Sequence, residues 1–291
     1  MNKLARKPSW LRAEMLGASN TANLTKMLSK YKLHTVCESA RCPNRGECFE
    51  TGTAVFLIMG DECTRNCRFC AIPTTAHALP LDPDEPRRVA EMSQKLGLKH
   101  VIVTSVTRDD LDDGGAAHFQ KTIKEIRALL GDNVFIEVLT PDFKGKESAI
   151  DTVIQEKPTI FNHNLETIKR LYSIIRPQAD YERSLALLER VKQQDPNIIT
   201  KTGIMVGLGE SQDEVLHVMK DARKVGVNML TIGQYLQATT KNYPVHEYIH
   251  PKIFEDYKTK GMEIGFLYIE SAPLVRSSYY SQDLATILQN K

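Results

Sequence analysis

TKTGIMVGLGESQDEVLHVMKDARKVGVNMLTIGQYL, residues 200–236, reads as one complete strand–helix–strand unit. Its ends, TKTGIMVGLG (200–209) and MLTIGQYL (229–236), are short apolar runs of the kind buried on both faces of a parallel sheet. Between them Val215, Met219, Ala222 and Val225 recur on one helical face. Ser211 and Glu214 stand where a capping box opens a helix, and Gly226 where it stops.

Four more apolar, β-branched runs lie upstream: AVFLIMG (54–60), HVIVTSV (100–106), VFIEVLT (134–140) and TIFNHNL (159–165). YERSLALLERVKQQ (181–194) repeats the helical pattern through Leu185, Leu188 and Val191. Strand and helix alternate about six times, which predicts an α/β fold: a partial (β/α)6 TIM-like barrel. The expected barrel spans 53–265, with residues 1–52 and 266–291 as N- and C-terminal extensions packed on it. Polar residues crowd several strand ends, in TSVTRDDLDDGG (104–115), EVLTPDF (137–143), NHN (162–164) and GQYL (233–236). In such barrels these positions line the active site. For Asp112 and Asp113 the alternative is capping of the next helix.

Composition narrows the class. Among 291 residues, 38 lysines and arginines face 36 acids, a net charge of +2, too weak a field to argue for nucleic acid or a membrane surface. The longest apolar runs fall far short of a membrane span, and no signal-peptide core follows the basic N-terminus. A cytoplasmic protein is expected; the basic residues ahead of Glu14 leave a mitochondrial presequence as the alternative.

All six cysteines precede residue 71, in two triplets: CESARCPNRGEC (37–48) and GDECTRNCRFC (60–70). Short-spaced triplets in a reducing compartment favour metal over disulfides. Cys63, Cys67 and Cys70, spaced CxxxCxxC, directly follow the first strand. A structural zinc site closes with four ligands, and the nearest histidine downstream is His77. A cubane 4Fe–4S cluster offers each of its irons one outer ligand, so three thiolates leave one iron open. Zinc with a catalytic opening remains the alternative.

CxxxCxxC with Phe69 ahead of its last cysteine resembles the signature of radical S-adenosylmethionine (SAM) enzymes. The Cx4Cx5C triplet at Cys37, Cys42 and Cys48 narrows the resemblance to the lipoyl synthase family. The blocks TSVTRDDLDDGG, EVLTPDF, FNHNLET, GIMVGLGE, TIGQYL and RSSY (276–279) follow in that family's order. The resemblance implies two 4Fe–4S clusters and S-adenosylmethionine as cofactors. Cys63, Cys67 and Cys70 would hold the cluster that generates the radical. Cys37, Cys42 and Cys48, with Ser278 as the fourth ligand and Arg276 beside it, would hold an auxiliary cluster that donates sulfur. The implied reaction inserts two sulfur atoms at carbons 6 and 8 of an octanoyl chain on a carrier-protein lysine. Implied partners are octanoylated lipoyl carrier domains, as in the 2-oxoacid dehydrogenase acyltransferase subunit and the glycine-cleavage H protein. A reductant such as ferredoxin or flavodoxin and an iron–sulfur carrier that rebuilds the cluster complete the set.

Within the implied cofactor site, Glu137, Asn162, Asn164 and Arg176 are the expected S-adenosylmethionine contacts. Helix capping is the alternative for Asn164. Arg176 precedes Pro177, which predicts a loop there. The sequence departs from the family pattern at Phe49, Ala238, Thr239, Asn242, Tyr243, Ala272 and Ser281, none of them a cluster ligand. Two rival readings are a radical enzyme acting on a different substrate and an iron–sulfur carrier or zinc-stabilised module. The second leaves some 200 residues of barrel without a role.

Overall fold

The computed structural model of the chain describes residues 7–11, 18–39, 44 and 55–278. Among these, eight strands form one sheet in sequence order. They are β1 (His34–Thr35), β2 (Val55–Ile58), β3 (His100–Ser105), β4 (Phe135–Leu139), β5 (Ile160–Asn162), β6 (Ile199–Val206), β7 (Met229–Gln234) and β8 (Tyr268–Ser271). The two-residue β1 lies antiparallel to β2, and every later pair is parallel.

Helices α1 (Ala18–Lys30) and α2 (Val36–Ser39) flank β1. The crossovers carry α3 (Glu85–Lys95), α4 (Ala116–Leu130), α5 (Glu147–Ile154), α6 (Tyr172–Ile175), α7 (Tyr181–Gln194), α8 (Gln212–Lys224) and α9 (Pro251–Ile264). All residues of β2 and of β7 are buried, as the unbroken apolar runs require.

The local signals hold where they are strongest. Ser211 Oγ accepts the Glu214 amide, and the Glu214 carboxylate accepts the Ser211 amide at 2.8 Å, so the capping box opens α8 as expected. Gly226 follows the helix at φ +86°. Along α7, Leu185, Leu188 and Val191 are buried. Asp113 is a cap: its carboxylate accepts the Gly115 and Ala117 amides at the start of α4.

The alternation runs one unit beyond the expected six. Residues 268–271 pair in parallel with β7, Met229 opposite Tyr268 and Ile232 opposite Ser271. The stretch YIES hides this strand because Glu270 and Ser271 interrupt any apolar run.

Candidate active site

The cysteine loop leaves β2 and is stitched down at several points. The Cys63 amide donates to the Pro73 carbonyl, and the Thr75 amide to the Cys63 carbonyl, both at 2.9 Å, closing the loop. Thr64 donates to the Thr107 carbonyl through its amide at 3.0 Å and its hydroxyl at 2.9 Å. The Asp109 amide returns a bond to Thr64 Oγ1. Farther along, the Arg68 amide donates to the Ile175 carbonyl and the Tyr243 amide to the Arg68 carbonyl, each at 2.8 Å. Asn242 Nδ2 donates to the Cys70 carbonyl at 2.6 Å, so one position that departs from the family pattern fastens the cysteine loop.

Cys63, Cys67 and Cys70 are free, half-buried thiols. Burial pushes the Cys67 thiol up, with Arg176 acting against it, and pushes Cys70 up to about 12. Burial thus opposes ionisation of Cys67 and Cys70, and a metal bound there would displace their protons. Among the described residues no three His, Cys, Asp or Glu converge on one metal ion. Three thiolates fall one short of a structural zinc site, whereas a cubane places each thiolate on a different iron. The Thr107 and Arg65 amides point at Cys63 Sγ from 3.3 and 3.4 Å, the kind of bond to sulfur that tunes such clusters. A cavity of about 610 Å³ opens beside Cys67 and Cys70, against residues 239–244.

The second element of the site is the segment after β5. Asn162 Oδ1, His163 Nε2, Asn164 Oδ1 and Arg176 Nε are buried and have no hydrogen-bond partner among the described residues. Native proteins rarely leave so many such atoms unmatched, which marks a seat for a polar ligand. Arg176 caps α6 and donates Nη1 to the Asn164 carbonyl at 2.9 Å, stacked 5.3 Å from the Tyr172 ring. Asn164 caps no helix; its Nδ2 donates to Glu166 Oε1 at 3.1 Å. Gly203 makes room: a Cβ there would lie 2.6 Å from Thr231 Oγ1 and 2.9 Å from Asn164 Oδ1.

Glu137 has a different setting. It is fully buried on β4, with Oε1 accepting Lys201 Nζ at 2.9 Å and Asn162 Nδ2 at 3.0 Å. His100 Nε2 stands 3.5 Å from Oε2. Four neighbouring strands, β3 to β6, thus share a polar belt inside the barrel, and Asn162 carries it to the C-terminal end of β5.

Sequence reasoning did not single out Glu166. Burial pushes its carboxyl up, opposed by Arg176, and its backbone at φ +67° is pinned by the Gly203 carbonyl and the Met205 amide. A positive φ on a glutamate leaves no mark in composition or periodicity.

His163 gives a pH signature. Its Nδ1–H donates to the Thr140 carbonyl at 2.9 Å. Burial, then the charge of Arg176, lower its pKa from 6.5 to about 4, against Asp142 and the Thr140 bond. Between pH 4 and 6.5 the unfolded chain therefore binds more protons, and stability rises with pH across that window. On acidification from 6.5 to 4 the chain loses about 3 kcal/mol through this group. Urea unfolding at pH 4.5 and 7 should show that slope in the wild type, and His163→Gln should flatten it.

The two terminal segments meet. Asn44 Nδ2, between Cys42 and Cys48 in sequence, donates to the Leu274 carbonyl at 2.8 Å. Residues 272–275 run from β8 across β7, with the Ala272 amide on the Ile232 carbonyl and the Gln234 amide on the Pro273 carbonyl. A Cβ on Gly233 would strike the Val275 carbonyl oxygen at 2.1 Å, so only glycine admits this crossing. The Arg276 guanidinium donates to the Val275 carbonyl at 2.6 Å. Cys37 is buried on α2 and Ser278 is half-buried; Cys42 and Cys48 lie outside the described residues.

Solved structures share this architecture. Methylornithine synthase matches with a TM-score of 0.55 at 15% identity, over 79% of this chain and 77% of that one. Streptococcus suis SuiB bound to S-adenosylmethionine matches at 0.56 and 11%, over 90% and 58%. At such identities the likeness is one of fold. The Radical SAM superfamily model matches residues 57–222. The lipoyl synthase of Caldanaerobacter subterraneus subsp. tengcongensis is 55% identical over 95% of this chain and 96% of its own length. That of Alkaliphilus metalliredigens is 52% identical over 95% and 94%. With a cysteine loop seated at the strand ends of this barrel and relatives this similar over nearly their whole length, the chain belongs to the lipoyl synthase family of the radical SAM superfamily.

Proposed function

We propose that the chain builds the lipoyl group with two 4Fe–4S clusters of unequal role. It is a radical SAM sulfurtransferase of the lipoyl synthase type, using 4Fe–4S and S-adenosylmethionine and acting on lipoyl carrier proteins. Bound S-adenosylmethionine supplies the radical needed at an unactivated C–H bond, which no side-chain acid, base or nucleophile can attack. Cys63, Cys67 and Cys70 would hold the cluster beside it, on a loop fixed to the ends of β2 and β3. Asn162, Asn164 and Arg176 would hold the polar groups of S-adenosylmethionine through their unmatched atoms. Glu137 would act one step back, holding the Asn162 amide so that Oδ1 is presented.

Cys37, Cys42, Cys48 and Ser278 would hold the second cluster, the source of the inserted sulfur. Residues 1–52 and 266–291 would then form one functional unit, with β1 and β8 inside those ranges pairing into the barrel's own sheet. The observation that carries this reading is the bond from Asn44 to Leu274, which joins residues 230 apart, beside the two ligand segments. Serine oxygen is a harder and poorer donor to iron than thiolate, so Ser278 is the bond to release. Carrier lysines of 2-oxoacid dehydrogenase acyltransferase subunits and of the glycine-cleavage H protein are the substrates of this reading. Ferredoxin or flavodoxin supplies electrons, an iron–sulfur carrier rebuilds the cluster, and the compartment is the cytoplasm. Among the described residues no helix is long and apolar enough to cross a membrane.

The test is single-turnover sulfur insertion into an octanoyl-lysyl peptide, read by mass spectrometry with iron counted in parallel. Ser278→Cys should keep its iron yet insert sulfur about tenfold or more slowly, as a softer ligand holds the iron. Ser277→Cys should behave as the wild type. Wild-type insertion by a fully loaded Ser278→Cys would remove serine lability from the mechanism.

A further inference from the structure

Arg65 lies between the first two cluster cysteines and is buried, at 4% exposure. Its guanidinium engages three oxygens. Nε donates to Asp109 Oδ2 at 2.7 Å, and Nη2 to Asp109 Oδ1 at 2.9 Å and to Asp142 Oδ1 at 2.6 Å. Asp142, wholly buried, gives its other oxygen to Arg183 Nε of α7 at 2.8 Å. Its Oδ1 also accepts the Lys144 amide at 3.1 Å. Two arginines and two aspartates form a neutral chain from the cluster loop through the loops after β3 and β4 to a helix outside the barrel.

We propose that Arg65 is a positioning residue for the radical-generating cluster, held by Asp109 and Asp142, and that this chain of charges sets the cluster's reduction potential. The inference rests on the assignment of Cys63, Cys67 and Cys70 to that cluster. The geometry supports both halves. A planar fork bound on two sides fixes the loop as a lysine could not, since an ammonium is a point charge on a flexible stem. The alternating signs place one uncancelled charge near the cluster whenever a single member is neutralised. In a buried setting that charge is weakly screened.

The expected results differ by variant. Arg65→Lys keeps the charge and loses the fork, so the loop holds its cluster less firmly. Cluster loss to a chelator should occur at about tenfold lower chelator concentration, the usual scale for removing a partner behind a metal ligand. Asp109→Asn leaves a net positive charge and should move the potential up. Arg183→Met leaves a net negative charge and should move it down; this side chain is the most exposed member, so folding is least at risk. Potentials are read by redox titration with electron paramagnetic resonance, in a Cys42→Ala, Cys48→Ala background where only the barrel cluster titrates.

Wild-type chelator resistance in Arg65→Lys overturns the proposal. So do potentials that stay put or move in one direction in Asp109→Asn and Arg183→Met, since loosened packing has no sign. An iron-free background protein with Cys63, Cys67 and Cys70 intact would instead sink the cluster assignment itself.

Discussion

Replacing Cys67 by alanine should lower S-adenosylmethionine cleavage at least ~10³-fold, toward the uncatalysed background, because catalysis as a whole is worth ~10⁶ or more. Replacing Cys42 should leave cleavage running and stop sulfur insertion. The contrast follows from the architecture. Cys67 sits on a loop fixed to Thr107 after β3 and to Asn242 and Tyr243, where the charge of Arg176 reaches it. Cys42 lies in the other triplet, two residues from the Asn44 that touches the C-terminal segment. The measurement is 5′-deoxyadenosine by liquid chromatography, with circular dichroism to confirm the fold. Equal loss of cleavage in both variants, with secondary structure intact, would end the division of labour between the triplets.

Lys201→Met should cost about 3–5 kcal/mol of stability, the scale for stranding one member of a buried ion pair. Glu137 and Lys201 are both essentially unexposed, 2.9 Å apart. Methionine fills the volume of the lysine stem, so the loss is electrostatic and leaves no cavity. The double variant Glu137→Leu, Lys201→Met should recover most of it, since well-packed apolar residues often match or exceed a buried pair. Asn162 then loses the acceptor for its Nδ2, so the double variant should remain folded while its apparent KM for S-adenosylmethionine rises. Urea midpoints at constant slope give the energies. A single variant within 1 kcal/mol of wild type would show that Glu137 finds its compensation elsewhere.

The fold was legible where a pattern repeats. The capping box of α8, the face of α7 and the apolar runs of β2 to β7 are periodic signals, and each formed its element. β8 escaped because Tyr268–Ser271 is short and half polar; its register comes from β7 and from α9, which returns the chain to the sheet. The two cysteine triplets stand out in the sequence by their spacing. What was not legible is who faces whom. Glu137 and Lys201 are 64 residues apart, and nothing local announces that β4 and β6 aim them at each other. Arg65 carries no local signal between the cysteines, because its partners Asp109 and Asp142 arrive from two other crossovers. Asn242, a departure from the family pattern, turned out to hold the Cys70 carbonyl through its side-chain amide.

The seat of residues 272–275 also orders the folding of the molecule. Their carbonyls rest on the bare backbone of β7 at Gly233 and on Asn44, some 230 residues upstream in sequence. A contact of that separation carries a closure entropy that only a finished platform offsets, so it forms after the short-range strand–helix units have condensed. The barrel and its cysteine loop therefore exist first as an open-topped body, and the terminal segment closes last. The chain has a kinetic interval in which the thiols of Cys63, Cys67 and Cys70 are already in place while the top of β7 is still bare.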